Sequence, residues 1–252
     1  MERARRAAVA RDVITLFAPE PPAPGATLTL GEGAARHARA RRVDVGARVI
    51  LLDGEGARAT GTLVRVTKRS AVVEVEEATT VPAPPAVHLF VPVADRDRML
   101  WLAEKSAELA ATSWRPVLWR RSRSVANRGE GMMFHARVRA RMISALEQSG
   151  GAWMPTMYPE AKVDHALAAT PGGSRLLLDP AGAPLFRVPL AAPVSIALGP
   201  EGGPEPAERQ RLVDAGWTAV ALGGNILRFE TAGVAALAIV RGLLAFSGGS
   251  DD

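Results

Sequence analysis

Apolar and polar residues alternate one by one in short runs through the first third of the chain, and the period lengthens after residue 86. Ala47–Asp53 is a strand candidate, and Ala59–Thr67 and Ala71–Glu77 carry the alternation of strands with one buried face. Asp53-Gly54-Glu55-Gly56 reads as the turn between the first two. Upstream, Val13–Phe17 begins the structured chain, and Pro19–Pro24 is an elbow that can be neither helix nor central strand. Short strands with tight turns predict a small β-barrel. Ala78–Ala86, rich in proline and threonine, reads as a linker.

From Val87 onward the pattern becomes one of strands alternating with helices. His88–Val93, Arg115–Leu118, Ser174–Leu178, Val194–Leu198 and Ala219–Leu222 are strand candidates, and the near-continuous apolar runs among them suit buried parallel strands. Asp97–Ala111, Phe134–Gln148, Glu205–Ala215 and Thr231–Phe246 have helical spacing, the second ending at Gly150-Gly151. This order predicts an α/β domain built on a parallel sheet. No internal repeat is visible. Residues 1–12 and 248–252 are expected to be flexible, which leaves domains at 13–80 and 86–247.

Composition narrows the chemistry. Of 252 residues, 48% are hydrophobic and 23% charged, enough to bury two cores and too apolar for a disordered chain. The absence of cysteine excludes disulfides and thiolate metal sites and fits a cytoplasmic location. The four histidines, His37, His88, His135 and His165, show no metal-ligand spacing, so no metal is expected. No apolar run is long enough for a membrane span. The formal charge of +5 comes from arginine, which suits phosphate but equally reflects a GC-rich genome.

Two glycine loops carry the candidate chemistry. Leu198-Gly199-Pro200-Glu201-Gly202-Gly203 follows a buried strand and precedes a helix, where backbone can approach a ligand closely. It is neither a P-loop nor a dinucleotide fingerprint, and alone it could be a plain turn. Leu222-Gly223-Gly224-Asn225-Ile226-Leu227-Arg228-Phe229-Glu230-Thr231 follows the next strand and leads into an apolar helix. Thr231 could cap that helix and Glu230 would suit its positive end. Alternatively, both loops line one pocket.

The pair of loops resembles the signature of the RsmE family, the 16S rRNA (uracil(1498)-N3)-methyltransferases of the SPOUT superfamily. Glu104–Leu109 and Glu147–Gly150 are similar to further family segments, and His37–Gly56 resembles the first part of its barrel. The resemblance implies a PUA-like RNA-binding β-barrel followed by a SPOUT-type α/β methyltransferase domain with a C-terminal deep trefoil knot. It implies S-adenosylmethionine held by Leu178, Leu198, Gly199, Pro200, Glu201, Gly202, Gly203, Leu222, Gly223, Ile226, Leu227 and Thr231. The expected partners are 16S rRNA within the small ribosomal subunit and a second copy of the chain. Departures fall on the substrate side: Ala107, Ala110-Ala111 and Gly151 stand where the family usually has threonine, glycine-valine and arginine.

The ring nitrogen N3 of uracil must lose its proton to become a nucleophile. Arg228 could stabilise the developing anion, or bind the target phosphate, while Glu201 and Glu230 are candidate proton acceptors, each with a structural alternative in turn geometry or helix capping. His37, Arg39, Arg41, Arg42, Lys105, Arg120, Arg121, Arg123 and Gln148 are candidate RNA contacts. Solvated basic faces, and helix pairing of Lys105 with Glu104 and Glu108, are the competing explanations. Rival functions are a SPOUT enzyme that methylates a ribose or another base, a non-catalytic RNA-binding assembly factor, and a nucleotide-binding α/β enzyme.

Overall fold

The computed structural model describes residues 13–122 and 131–247. They divide into two compact units, Met1–Ala83 with Ile143–Met154, and Pro84–Met142 with Pro155–Asp252.

In the first unit, β1 (Ile14–Phe17), β2 (Thr27–Leu30), β3 (Arg48–Leu52), β4 (Ala57–Val66) and β5 (Ala71–Thr80) form one sheet in the order β1-β3-β4-β5-β2. All pairs are antiparallel except β1 with β3. The inward residues Leu16, Val49, Leu51, Leu63 and Val73 are fully buried, as the alternation requires. Gly61 lies so close to the carbonyl of Glu74 that any side chain there would collide with the neighbouring strand. The segment that includes His37–Ala40, left without an assigned element by the hydrophobic pattern, is helical. Helix α1 (Glu32–Ala40) stands there and buries Ala34, Ala35 and Ala38 in the same core. Its small residues let it lie flat on the sheet, and the shortness of the run masks its helical period. Arg42 follows it in the left-handed region at φ 54°. β5 continues to Thr80, so the linker begins later than its threonines suggest.

Residues Ile143–Met154 join this unit through backbone bonds. Gly56 donates to the carbonyl of Ala152 at 2.9 Å, and Met154 to that of Gly54 at 2.8 Å. The Trp153 indole lies against Gly56, where no Cβ could fit, and donates to the Val81 carbonyl at 3.0 Å.

The second unit contains β6 (Val87–Pro92), β7 (Ser113–Leu118), β8 (Thr156–Met157), β9 (Ala161–Lys162), β10 (Ser174–Pro184), β11 (Val194–Ala197) and β12 (Thr218–Ala221). Their order is β12-β10-β11-β6-β7-β8, with β9 also on β7, and every pair is parallel. The helices are α2 (Arg96–Glu108), α3 (Met132–Ser149), α4 (Val163–Ala168), α5 (Pro206–Asp214) and α6 (Phe229–Ser247). The last part of α3 belongs to the first unit. On one side of the sheet Phe90 meets Trp217 edge to face at 5.5 Å, with Val117, Trp119, Leu177 and Leu212 around them. On the other, α6 packs on α2, β6 and β11. Gly233 permits that approach, since a Cβ there would stand 2.9 Å from Leu102 and 3.1 Å from Leu198.

Two boundaries bear on the site. β10 does not stop at Leu178 but resumes its pairing with β12 at Ala183 after a bulge. Asp179 Oδ1 accepts from the Ala181 amide at 2.9 Å within that bulge. Helix α6 starts at Phe229, so Thr231 lies inside its first turn and is not its cap. Glu230 does sit at the positive end, as its type favours.

Candidate active site

The carboxyl ends of β10, β11 and β12 face a common cavity of about 800 Å3. This is where ligands of parallel α/β sheets bind, because the loops there leave backbone groups free. The bulge after β10 supplies Leu178, Asp179 and Pro180, and the loop after β11 supplies Leu198 through Pro204. The loop after β12 supplies Leu222, Gly223, Asn225, Ile226, Leu227 and Arg228. Two loops that a strand and a helix separate in sequence thus become opposite walls. Ile226, 87% exposed, projects an apolar side chain with no core to cover it. Such exposure is unfavourable without an apolar or aromatic ligand to share it.

Each loop is fixed from outside the cavity. Glu205 caps α5 and Glu208 reaches back to the Glu205 amide at 2.9 Å, a reciprocal capping box. The second oxygen of the buried Glu208 accepts from the Arg120 amide at 2.8 Å. Arg121 donates to the Gly202 carbonyl at 2.6 Å. Arg98 from α2 pairs with Glu201, and its Nε lies 3.8 Å from Glu230 Oε1. Arg209 from α5 holds Asp179 at 2.8 Å, and that hydrogen bond keeps the Asp179 carboxyl below the usual carboxylate range.

Of the residues singled out from the sequence, Leu178, Leu198–Gly203, Leu222, Gly223, Ile226, Leu227 and Arg228 all line this cavity. Glu230 and Thr231 line a smaller neighbouring one. Arg98, Asp179, Asn225 and Arg209 also line the main cavity and escape sequence reasoning. Asp179 carries a usable signal, as the first polar residue after a buried strand.

The candidate RNA contacts are dispersed. Arg41 and Arg42 are exposed at the end of α1, while Arg39 donates to the Lys68 carbonyl at 3.3 Å. His37 Nδ1 lies 2.8 Å from Glu147 Oε2, whose other oxygen accepts from the Phe17 amide at 3.1 Å. Gln148 is exposed. Lys105 bonds Glu104 at 2.9 Å and Glu108 at 2.6 Å, and those bonds, first to Glu108, raise its pKa. Arg120 and Arg121 are exposed and abut the Gly202 loop. Arg123 lies outside the described residues. No group of three or more histidines and carboxylates among the described residues could hold a metal ion. No helix among them is long and apolar enough to cross a membrane.

Comparison with known proteins agrees with this architecture. The model of an RNA methyltransferase domain matches residues 81–241, and that of an RNA methyltransferase PUA domain matches residues 30–76. The chain is 30% identical over 227 residues to the ribosomal RNA small subunit methyltransferase E of Mycobacterium bovis, covering 86% of this chain and 78% of that protein. The enzyme of the same name from Mycobacterium tuberculosis matches to the same degree. The crystal structure of a ribosomal RNA small subunit methyltransferase E from Neisseria gonorrhoeae, bound to S-adenosyl methionine, superposes with a TM-score of 0.83. It is 31% identical, with 92% of this chain and 98% of that chain covered. The fold is therefore the SPOUT-type α/β knot preceded by a PUA-like barrel that the sequence leads one to expect.

Proposed function

The chain belongs to the ribosomal RNA small subunit methyltransferase E family of RNA methyltransferases, and from that premise we propose that it methylates N3 of a uridine in 16S rRNA, at the position equivalent to 1498, using S-adenosylmethionine. The observation that carries the reading is the cavity built by three strand ends, with Arg228 at its margin.

The cavity fits this cofactor. Its volume lies within the range of small-molecule sites, its glycine-rich backbone can approach an adenosine, and Leu178, Leu198, Leu222, Ile226 and Leu227 offer apolar walls. Asp179 and Glu201 would balance the positive sulfonium and amino groups. When bound, the cofactor supplies an electrophilic methyl group. The residues of the chain orient the base, exclude water and manage one proton.

Arg228 is exposed at the cavity rim and makes no ion pair among the described residues that would neutralise it. Its positive charge favours loss of the N3 proton and stabilises the uracil anion as charge develops. Glu230, 12% exposed, is the nearest carboxylate in sequence and takes that proton. Arg121, whose side chain fixes the Gly202 loop by donating to the Gly202 carbonyl, would also meet an RNA phosphate. Arg39, Arg41, Arg42 and Arg120 would grip RNA phosphates, with His37, Lys105, Arg123 and Gln148 as further contacts.

The substrate in this reading is the assembled small subunit, and the enzyme acts as a homodimer. Helix α6 supports the latter, because its apolar sequence leaves Ala238 and Ala245 exposed and Ala235 and Ile239 only half-buried. The test is methyl transfer from labelled S-adenosylmethionine to small subunits that lack the mark. Label in 16S rRNA, with none in large-subunit or transfer RNA, is the expected outcome. Cofactor binding without transfer to any RNA would overturn the enzymatic reading in favour of an assembly factor.

A further inference from the structure

Beside the main cavity lies a smaller one of about 280 Å3 that shares only Arg98 with it. It opens between the first halves of α2 and α6 and is lined by Asp97, Arg98, Trp101, Glu230 and Thr231. Asp97 and Arg98 stand four and three residues before Trp101, so one face of α2 presents all three. Arg98 lines both cavities, which makes them neighbours across a single side chain.

Two features of this cleft call for a ligand. Trp101 is 43% exposed, whereas Trp114, Trp119 and Trp217 are buried at 4% or less. An indole left open at a cavity edge is a stacking platform, rigid and with a polarisable face. Across from it, Glu230 Oε2 is buried and has no hydrogen-bond partner among the described residues, while Oε1 faces Arg98 Nε at 3.8 Å. A buried carboxylate oxygen left unpaired is costly, and a donor arriving with the substrate would relieve that cost.

We propose that this cleft is the subsite for the target nucleobase, a pyrimidine turned out of its stack, with Trp101 stacked on its face and Glu230 Oε2 accepting its ring N–H. Extruded bases are held in this way, by an aromatic face and by hydrogen bonds to their pairing edge. Arg98 is a positioning residue: paired with Glu201 of the cofactor loop and facing Glu230, it sets the base against the methyl donor's cavity. In the reaction the N–H bond breaks with its proton passing to Glu230, the N–CH3 bond forms, and the sulfonium carbon–sulfur bond breaks to leave a neutral thioether. The inference rests on the methyltransferase reading and adds the residues that recognise the base.

The test compares Trp101→Ala, Trp101→Leu and Trp101→Phe in steady-state methyl transfer to small subunits, in calorimetric titration with S-adenosylmethionine, and in light scattering. Stacking on one base contributes about 1–3 kcal/mol, so kcat/KM for the RNA falls roughly 5- to 150-fold in the Ala and Leu variants. The Phe variant keeps most of the activity, and cofactor affinity and oligomeric state do not change. The Leu variant fills the space without a ring, so it decides the matter if the Ala variant does not fold. Wild-type kcat/KM in the Leu variant overturns the proposal. So does an equal loss of cofactor affinity, or a change of oligomeric state, because each makes Trp101 structural. If the wild-type enzyme methylates a different nucleoside, the target assignment fails separately, and the same comparison is read on that RNA.

Discussion

Arg228 contributes its backbone carbonyl to the fold, as the first acceptor of helix α6, and leaves its guanidinium at the cavity rim. Replacing it by alanine should therefore cost activity without costing structure. Removing one electrostatic stabiliser of a developing anion lowers kcat by about 100- to 1,000-fold. Calorimetry should find S-adenosylmethionine affinity unchanged in Arg228→Ala, and a parallel loss of affinity would assign the arginine to cofactor binding instead. The sequence exposes this residue because loop, arginine and helix are contiguous. Arg98 is illegible for the opposite reason: it lies on a helix far earlier in the chain, and nothing in local spacing shows which loop a helix face will meet. Two further residues set a pH dependence. Burial, and next the positive Arg241, lower the pKa of His88 below its ordinary 6.5, so the unfolded chain takes up that proton at higher pH than the folded one. Its contribution to stability is full above the ordinary histidine value and is lost as pH falls through the folded value. Asp179, lowered chiefly by the Arg209 hydrogen bond, contributes fully above the ordinary carboxylate value of 3.8 and loses that contribution as pH falls through the folded value. Denaturation midpoints should fall in two steps on acidification, and His88→Asn should remove the first. A single step unaffected by that substitution would contradict the assignment.

Helix α2 ends in a strained way that the sequence already hints at. Ala110 adopts φ 53°, a left-handed conformation that glycine takes without penalty, at a position where the family usually has glycine. The end is held by Arg241 of α6, which donates to the carbonyls of Leu109, at 3.1 Å, and of Ala110 and Pro85. Its burial pushes the Arg241 pKa down to about 10. Ala110→Gly should relieve the strain and stabilise the protein by about 0.5–1 kcal/mol in urea denaturation, since the clamp uses the backbone carbonyl and survives the change. Destabilisation would mean that the methyl group packs better than its backbone cost. The strands are legible at this scale because burial on one or both faces leaves a pattern of period two or an unbroken apolar run. The bulge of β10 is not, because a bulge is set by what the adjacent strand demands. There Gly182 passes so close to the backbone of Ala219 and Val220 that no side chain fits. Helix α1 is hidden because nine residues are too few for its helical period to stand out from the strands on either side.

At the scale of the molecule, charge is distributed over surfaces the sequence marks without explaining. Arg120 and Arg121 read as a solvated basic run, and they are exposed, yet their backbone and side-chain bonds brace the Gly202 loop. Arg41 and Arg42 are exposed at the end of α1. If they bind phosphate, Arg41→Ala with Arg42→Ala should flatten the slope of log K for RNA against log salt by about 0.7–0.9 for each phosphate no longer neutralised. An unchanged slope would make that end of α1 a solvated face. The grouping of Ile143–Met154 with the first unit is also invisible in sequence, because it depends on backbone pairing of Gly54 and Gly56 with a distant segment. The function is legible where the chain packs its chemistry into contiguous loops, and Arg98 and Trp101 are not, because they stand on a helix remote in sequence from those loops. The most direct measurement is the identity of the methylated nucleoside. Small subunits lacking the mark, treated with the enzyme and S-adenosylmethionine, are digested to nucleosides and analysed by mass spectrometry against standards. N3-methyluridine from the site equivalent to 1498 of 16S rRNA is the expected product. A ribose-methylated nucleoside, or a methyl group on another base, would contradict it.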